Sequence, residues 1–192
     1  MLCGEGMSAL EIIAALLGLA NVTLVVRRSV WNYPFGIAMV SLYAVVFYEA
    51  QLYSDALLQI FFLVLNVYGW VSWRRVQQRD TVPVRWMGLR GNALVIAVTA
   101  VLWFLWSSLM HRFTDAAAPY VDGAVACLSV AGQILMVRRF VENWIYWIVV
   151  NLLAIGLFWW RDLPVTSALY TVFLGLAFAG LFQWRRAAAV AA

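Results

Sequence analysis

The chain has 192 residues, 66% of them hydrophobic and 11% charged, with a formal net charge of +4. An average soluble domain is roughly 45–50% apolar and about 25% charged, so a soluble globule of this length has nowhere to hide the apolar surface. Disorder is excluded by the same figures, because a disordered chain is polar and highly charged. The expected fold class is all-α integral membrane, with residues 1–192 as a single membrane domain and no room for a second, soluble one.

A helix rising 1.5 Å per residue needs ~20 apolar residues to cross a ~30 Å hydrocarbon core. Seven stretches qualify, at roughly 9–26, 32–49, 54–73, 92–110, 120–137, 142–160 and 164–184. Runs such as Ile60-Phe61-Phe62-Leu63-Val64-Leu65 and Ile148-Val149-Val150 lack the period-2 alternation of a membrane β-barrel. The first stretch follows no Arg or Lys and ends without a small-residue cleavage site, so it reads as a retained span and not as a signal peptide.

The third span places Asp55, Gln59, Phe62, Asn66 and Gly69 at i, i+4, i+7, i+11 and i+14, which is one helical face. The fourth ends on the single histidine, His111. Cys127 in the fifth and Cys3 near the N-terminus are isolated thiols without metal-ligand spacing, so neither a metal nor another cofactor is expected. The sixth span carries Trp144, Trp147 and Asn151 at i, i+3 and i+7, again one face. The seventh carries Tyr170 and Gly180.

All thirteen basic residues are Arg, and the loops of a seven-span chain divide them 11 to 2. The positive-inside rule then puts the N-terminus outside and the C-terminus in the cytoplasm. The basic excess is accounted for by orientation, and no long polybasic run points to nucleic acid. Trp73 and Trp184, beside Arg pairs, and Trp159 with Trp160 at the opposite boundary, are expected in the interfacial aromatic belts.

Residues 11–75 align without a gap on residues 122–186, at an offset of 111. Val26-Arg27-Arg28 falls on Val137-Arg138-Arg139, Asn32 on Asn143, Gly69 on Gly180, and Trp73-Arg74-Arg75 on Trp184-Arg185-Arg186. On the third and seventh spans Gln59 pairs with Tyr170, and Asn66 with Ala177. The expected organisation is a first three-helix repeat at 9–75, a linking helix at 92–110 and a second repeat at 120–186. An odd-numbered unit copied directly would insert upside down, and one linking helix restores its orientation. The result is a 3+1+3 architecture with parallel repeats, a known transporter design, although a structural bundle also fits a repeat alone.

Intramembrane polar groups are expensive and face a cavity or a partner. At 1.5 Å per residue Asn66 lies roughly 18 Å from the outer end of its span, and Asn151 about 13–14 Å from the inner end of its own. The two amides reach nearly the same level in a ~30 Å core, where they either contact a ligand or hydrogen-bond between helices. The acidic residues Glu49, Asp55, Asp115, Asp122, Glu142 and Asp162 all sit at span ends or in loops, and Glu11 is near the start of its span. No ionisable relay crosses the core, which favours a passive facilitator over a proton-coupled carrier. No HExxH, GxSxG or P-loop pattern is present, so an enzyme is not expected.

The motif Trp144-Ile145-Tyr146-Trp147-Ile148-Val149-Val150-Asn151, with Leu52-Tyr53-Ser54-Asp55-Ala56-Leu57-Leu58-Gln59 leading into Tyr68-Gly69-Trp70 and Trp73, resembles the PnuC family of bacterial vitamin transporters. The resemblance implies seven spans in a 3+1+3 arrangement related to the SWEET sugar transporters, in homotrimers of the bacterial inner membrane. It also implies facilitated diffusion of a vitamin, foremost nicotinamide riboside, followed by cytoplasmic phosphorylation. Thiamine and riboflavin remain alternatives. Trp144, Trp147, Asn151, Gln59, Asn66 and Tyr170 are the candidate substrate-binding residues: indole faces suit a flat pyridinium cation, and amides suit hydroxyls and a carboxamide. Leu181 departs from the family pattern, where Tyr often follows the glycine. A membrane enzyme or a non-transporting bundle is the reading outside this class.

Overall fold

The computed structural model describes residues 9–49, 53–77, 81–113, 118–160 and 164–190. They form seven helices: α1 (Ala9–Val26), α2 (Asn32–Glu49), α3 (Tyr53–Val76), α4 (Leu89–Phe113), α5 (Pro119–Val137), α6 (Asn143–Trp160) and α7 (Pro164–Val190). Five of these, α3 to α7, are long and apolar enough to cross a membrane, while α1 and α2 contribute the shorter apolar stretches Ile12–Val26 and Asn32–Val46. Large apolar side chains stand exposed along the helices; α4 alone presents Leu94, Ile96, Val98, Leu102, Phe104 and Leu105 on its surface. In lipid such a surface carries no penalty, and its backbone polar groups are satisfied within the helix. Prolines start helices where the missing N–H costs nothing, Pro119 on α5 and Pro164 on α7.

The chain divides into two compact units, the first ending at Val82 and the second beginning at Pro83. In the first, α2 packs against both α1 and α3. In the second, α5 packs against α4 and α6, and α7 against α6. The helix between the two sequence repeats therefore belongs to the second unit.

Both units contain one distinctive turn. At the end of α1, Arg28 adopts a left-handed backbone (φ 58°). Its N–H donates to the Val25 carbonyl at 2.9 Å, and that of Ser29 to the Leu24 carbonyl at 3.0 Å. This is a Schellman cap with arginine at the position glycine usually takes. At the end of α5, Arg139 (φ 66°) repeats it, with Arg139 bonded to Met136 at 2.9 Å and Phe140 to Leu135 at 3.0 Å. The next helix begins each time with a fully buried asparagine. Asn32 Nδ2 donates to the Ser29 carbonyl and Asn143 Nδ2 to that of Phe140, both at 2.6 Å. Within the first unit the Val82 N–H donates to the Arg28 carbonyl, and within the second the Arg85 N–H donates to the Arg139 carbonyl, each at 3.1 Å. Arg28 Nη1 also reaches the Val82 carbonyl at 3.3 Å, and burial lowers its guanidinium below the ordinary arginine value.

Above each turn an aromatic pair is wedged between helices. Tyr33 and Trp73 meet edge to face at 5.3 Å and 88°, and Trp144 and Trp184 at 5.5 Å and 90°. A side chain at Gly69 would strike the Tyr33 ring, and one at Gly180 the Trp144 ring, so both positions require glycine for the rings to lie against the helix. This corrects the expectation that Trp73 and Trp184 are interfacial belt residues, for both are fully buried. Each packs edge to face on the ring that lies over the glycine one turn earlier on its own helix, Tyr33 over Gly69 and Trp144 over Gly180. Trp159 and Trp160 are exposed, as belt residues are.

Candidate functional site

Of the candidate residues, Trp144, Trp147, Asn151 and Tyr170 lie in the second unit, on α6 and α7. Gln59 and Asn66 lie on α3 of the first. The side chain of Asp55, together with Asp115 and Asp162, falls outside the described residues.

On α6, Trp144 is 2% exposed, and its indole N–H has no acceptor among the described residues. One turn on, the half-buried Trp147 lies against Gly132 of α5, where an added Cβ would sit 3.3 Å from the indole nitrogen. One further turn on, Asn151 is 5% exposed, and its amide makes no hydrogen bond with any described residue. A buried asparagine normally binds a partner, so an open one beside an indole offers a donor and an acceptor to whatever enters. Tyr170 of α7 stacks on Phe158 at 5.2 Å and 30°, and meets Phe173 edge-on at 6.0 Å. These rings form an aromatic platform within the same unit.

In the first unit Asn66 is 4% exposed, and its Nδ2 donates to the Phe62 carbonyl at 2.9 Å. That leaves Oδ1, which lies 2.9 Å from where a Cβ of Gly36 would be. Asn21 of α1 approaches the same point to 2.7 Å through its Nδ2, which also donates to the Asn32 carbonyl at 2.8 Å. Gln59 is half-buried, with no side-chain partner among the described residues. Asn21 was not among the sequence-derived candidates. The available signal was an asparagine inside an apolar span, 111 residues ahead of Gly132.

Glu142 was also missed. It sits at a span end, as the sequence places it, and it is buried there. Its Oε1 accepts from the Met87 N–H at 2.8 Å and from Asn92 Nδ2 at 3.0 Å. An apolar groove of about 460 Å³ between the start of α5 and the end of α6, lined by Val121, Leu153, Gly156 and Trp160 among others, contains none of the candidates. Among the described residues no cluster of His, Cys, Asp and Glu could hold a metal ion.

Helices that are apolar on their surfaces, five of them long enough to cross a membrane, define a polytopic membrane protein. Residues 8–186 match the family described as nicotinamide mononucleotide transporter, and the chain belongs to that family. It is 28% identical to the nicotinamide riboside transporter PnuC of Escherichia coli K12, over 94% of this chain and 87% of that one. It is 32% identical to PnuC of Neisseria mucosa, over 81% and 62% respectively. It is 23% identical to the riboflavin/roseoflavin transporter RibM of Streptomyces davaonensis, over 91% and 83%. The crystal structure of the vitamin B3 transporter PnuC superposes with a TM-score of 0.78 at 28% identity, covering 93% of this chain and 81% of that one. The PnuC family, and the seven-helix membrane fold that goes with it, agree with the sequence-based expectation.

Proposed function

We propose that the chain is a facilitator that takes up nicotinamide riboside, a precursor of NAD, by alternating access. The observation that carries this reading is the face of α6, where the open amide of buried Asn151 stands one turn from the Trp147 indole. Nicotinamide riboside has a flat pyridinium cation, a carboxamide and ribose hydroxyls. The Trp147 face stacks on the cation, an attraction of ~2 kcal/mol when desolvated. Asn151 pairs with the hydroxyls or the carboxamide, and Tyr170 extends the aromatic wall; Asn66 and Gln59, in the first unit, are further candidates for polar contact with a substrate. Trp144, packed on Trp184, forms the inner end of this wall. A site built without a fixed anion keeps the cation from binding too tightly to leave.

The protein works as a transporter and not as an enzyme, and needs no cofactor. A 3+1+3 order, with two copies of one three-helix repeat joined in the chain by α4, is supported by the matching turns at Arg28 and Arg139 and the matching ring pairs. The 11-to-2 division of arginines supports an N-terminus outside and a cytoplasmic C-terminus in the bacterial inner membrane. The assembly is a homotrimer.

Counterflow of labelled nicotinamide riboside in proteoliposomes tests the reading. Exchange is expected without a proton or sodium gradient, and uphill accumulation driven by an imposed gradient would refute a facilitator. The named activity of RibM makes riboflavin the second reading. One titration of the purified protein against nicotinamide riboside, riboflavin and thiamine separates the three.

A further inference from the structure

We propose that Glu142 is a positioning residue for transport: its buried carboxylate latches the segment leading into α4 to the start of α6, so that the helix bearing Trp144, Trp147 and Asn151 moves with that segment as one body. This rests on the transport reading above. Glu142 directly precedes α6 and is 5% exposed. Its Oε1 gathers the Met87 N–H at 2.8 Å and Asn92 Nδ2 at 3.0 Å, while Asn92 Nδ2 also donates to the Met87 carbonyl at 3.1 Å. The three groups close on one another.

The attachment continues along the backbone. The Arg85 N–H donates to the Arg139 carbonyl at 3.1 Å and the Val141 N–H to the Arg85 carbonyl at 3.0 Å, making a parallel bridge between Arg85 and Phe140. The Arg85 guanidinium lies 4.9 Å from the centroid of the Phe140 ring. Glu142 Oε2 is buried and has no hydrogen-bond partner among the described residues. Burying an unpartnered carboxylate oxygen is unfavourable. An acid at the end of a span could avoid the cost by turning into water; here it stays with Met87 and Asn92.

Among the described residues the first unit shows no such latch. Trp31, 111 residues earlier, is 70% exposed. The turn at Arg28 meets the linking segment through two hydrogen bonds with Val82, one from the Val82 N–H and one from Arg28 Nη1. Asn151 lies nine residues beyond Glu142, about 13–14 Å along the helix, so the carboxylate does not touch a substrate held there. Its effect therefore falls on how α6 moves and not on how tightly the site binds.

The test compares Glu142→Leu, Glu142→Gln and Asn92→Ala by hydrogen exchange at the Met87 amide, nicotinamide riboside affinity and counterflow rate. Gln keeps an acceptor for Met87 and Asn92 and places an amide donor where Oε2 stands. In Glu142→Leu the Met87 amide should exchange about tenfold faster and counterflow should slow about tenfold, with affinity within about threefold, as expected for loss of a charge-assisted hydrogen bond remote from the site. Glu142→Gln should resemble wild type in all three, and Asn92→Ala should shift exchange and rate in the same direction by less. If Glu142→Leu does not fold, Asn92→Ala decides by the same measures. Unchanged Met87 exchange, affinity falling in step with rate, or a Gln variant as impaired as Leu would overturn the proposal. If wild type neither binds nor exchanges nicotinamide riboside, riboflavin or thiamine, the transport reading fails and the positioning role falls with it, while Met87 exchange still reports whether the latch exists.

Discussion

At the Arg-rich ends of their helices the two units are near copies, and one turn farther along they diverge. Tyr33 on Trp73 over Gly69 becomes Trp144 on Trp184 over Gly180, with the ring geometry kept. At the next level the volumes are exchanged. The first unit places Gly36 under the amides of Asn21 and Asn66. At the equivalent positions the second places the Trp147 indole over Gly132, with the small Ala177 on α7. A cap, a buried asparagine and a ring on glycine hold three helices together in both. The exchange of amides for an indole then gives each unit a different chemistry on the same frame. The frame should therefore govern stability, and the diverged level should govern binding.

The most disruptive way to break the shared frame is to remove a ring. Trp184→Ala should cost ~3–5 kcal/mol, the range for truncating a fully buried tryptophan. Trp73→Ala should cost a similar amount, both read as lowered melting of the purified protein. Adding one carbon at Gly180 is the next largest change. Gly180→Ala forces the Trp144 ring aside at ~1–3 kcal/mol, and a melting temperature equal to wild type would show that the ring is not fixed there. Gly36→Ala sharpens the contrast between the units, because its Cβ displaces amides that are already bonded to the Asn32 and Phe62 carbonyls. About 1 kcal/mol of stability and a measurable loss of nicotinamide riboside affinity are expected. The smallest effect is at the turn itself. Arg28→Gly relieves a left-handed backbone worth ~1 kcal/mol but gives up the bond to Val82, so its melting should stay close to wild type.

Much of the frame is legible in the sequence. Apolar runs locate all seven helices, and the Arg pairs, asparagines and glycines in register mark corresponding positions. The ends are less legible, because nothing obliges a helix to stop where hydrocarbon stops. α4 runs Leu89–Phe113 instead of 92–110, and α7 continues to Val190 through Arg185-Arg186-Ala187-Ala188-Ala189, all good helix formers. Trp73 and Trp184 were misread because a tryptophan beside arginines has the composition of a membrane interface. The glycine four residues earlier on each helix carried the contrary signal. Glu142 was illegible for a different reason: its partners, Met87 and Asn92, lie 55 and 50 residues away. The helical face of Trp144, Trp147 and Asn151 follows from spacing alone. The burial of Trp144 depends on Gly180 and Trp184 of α7, and a one-dimensional pattern cannot supply that.

The most direct test of this division measures nicotinamide riboside affinity and melting temperature together for Asn151→Leu and Asn143→Leu. The first residue lies at the diverged level with an open amide, and the second lies in the copied turn, bonded to the Phe140 carbonyl. Losing a buried hydrogen-bond partner is worth ~1–3 kcal/mol, or about 5- to 150-fold in an equilibrium constant. The account predicts that Asn151→Leu pays this in affinity with its melting preserved, while Asn143→Leu pays it in melting. Unchanged affinity with a lowered melting point in Asn151→Leu would make that residue an interhelical clamp and contradict the account.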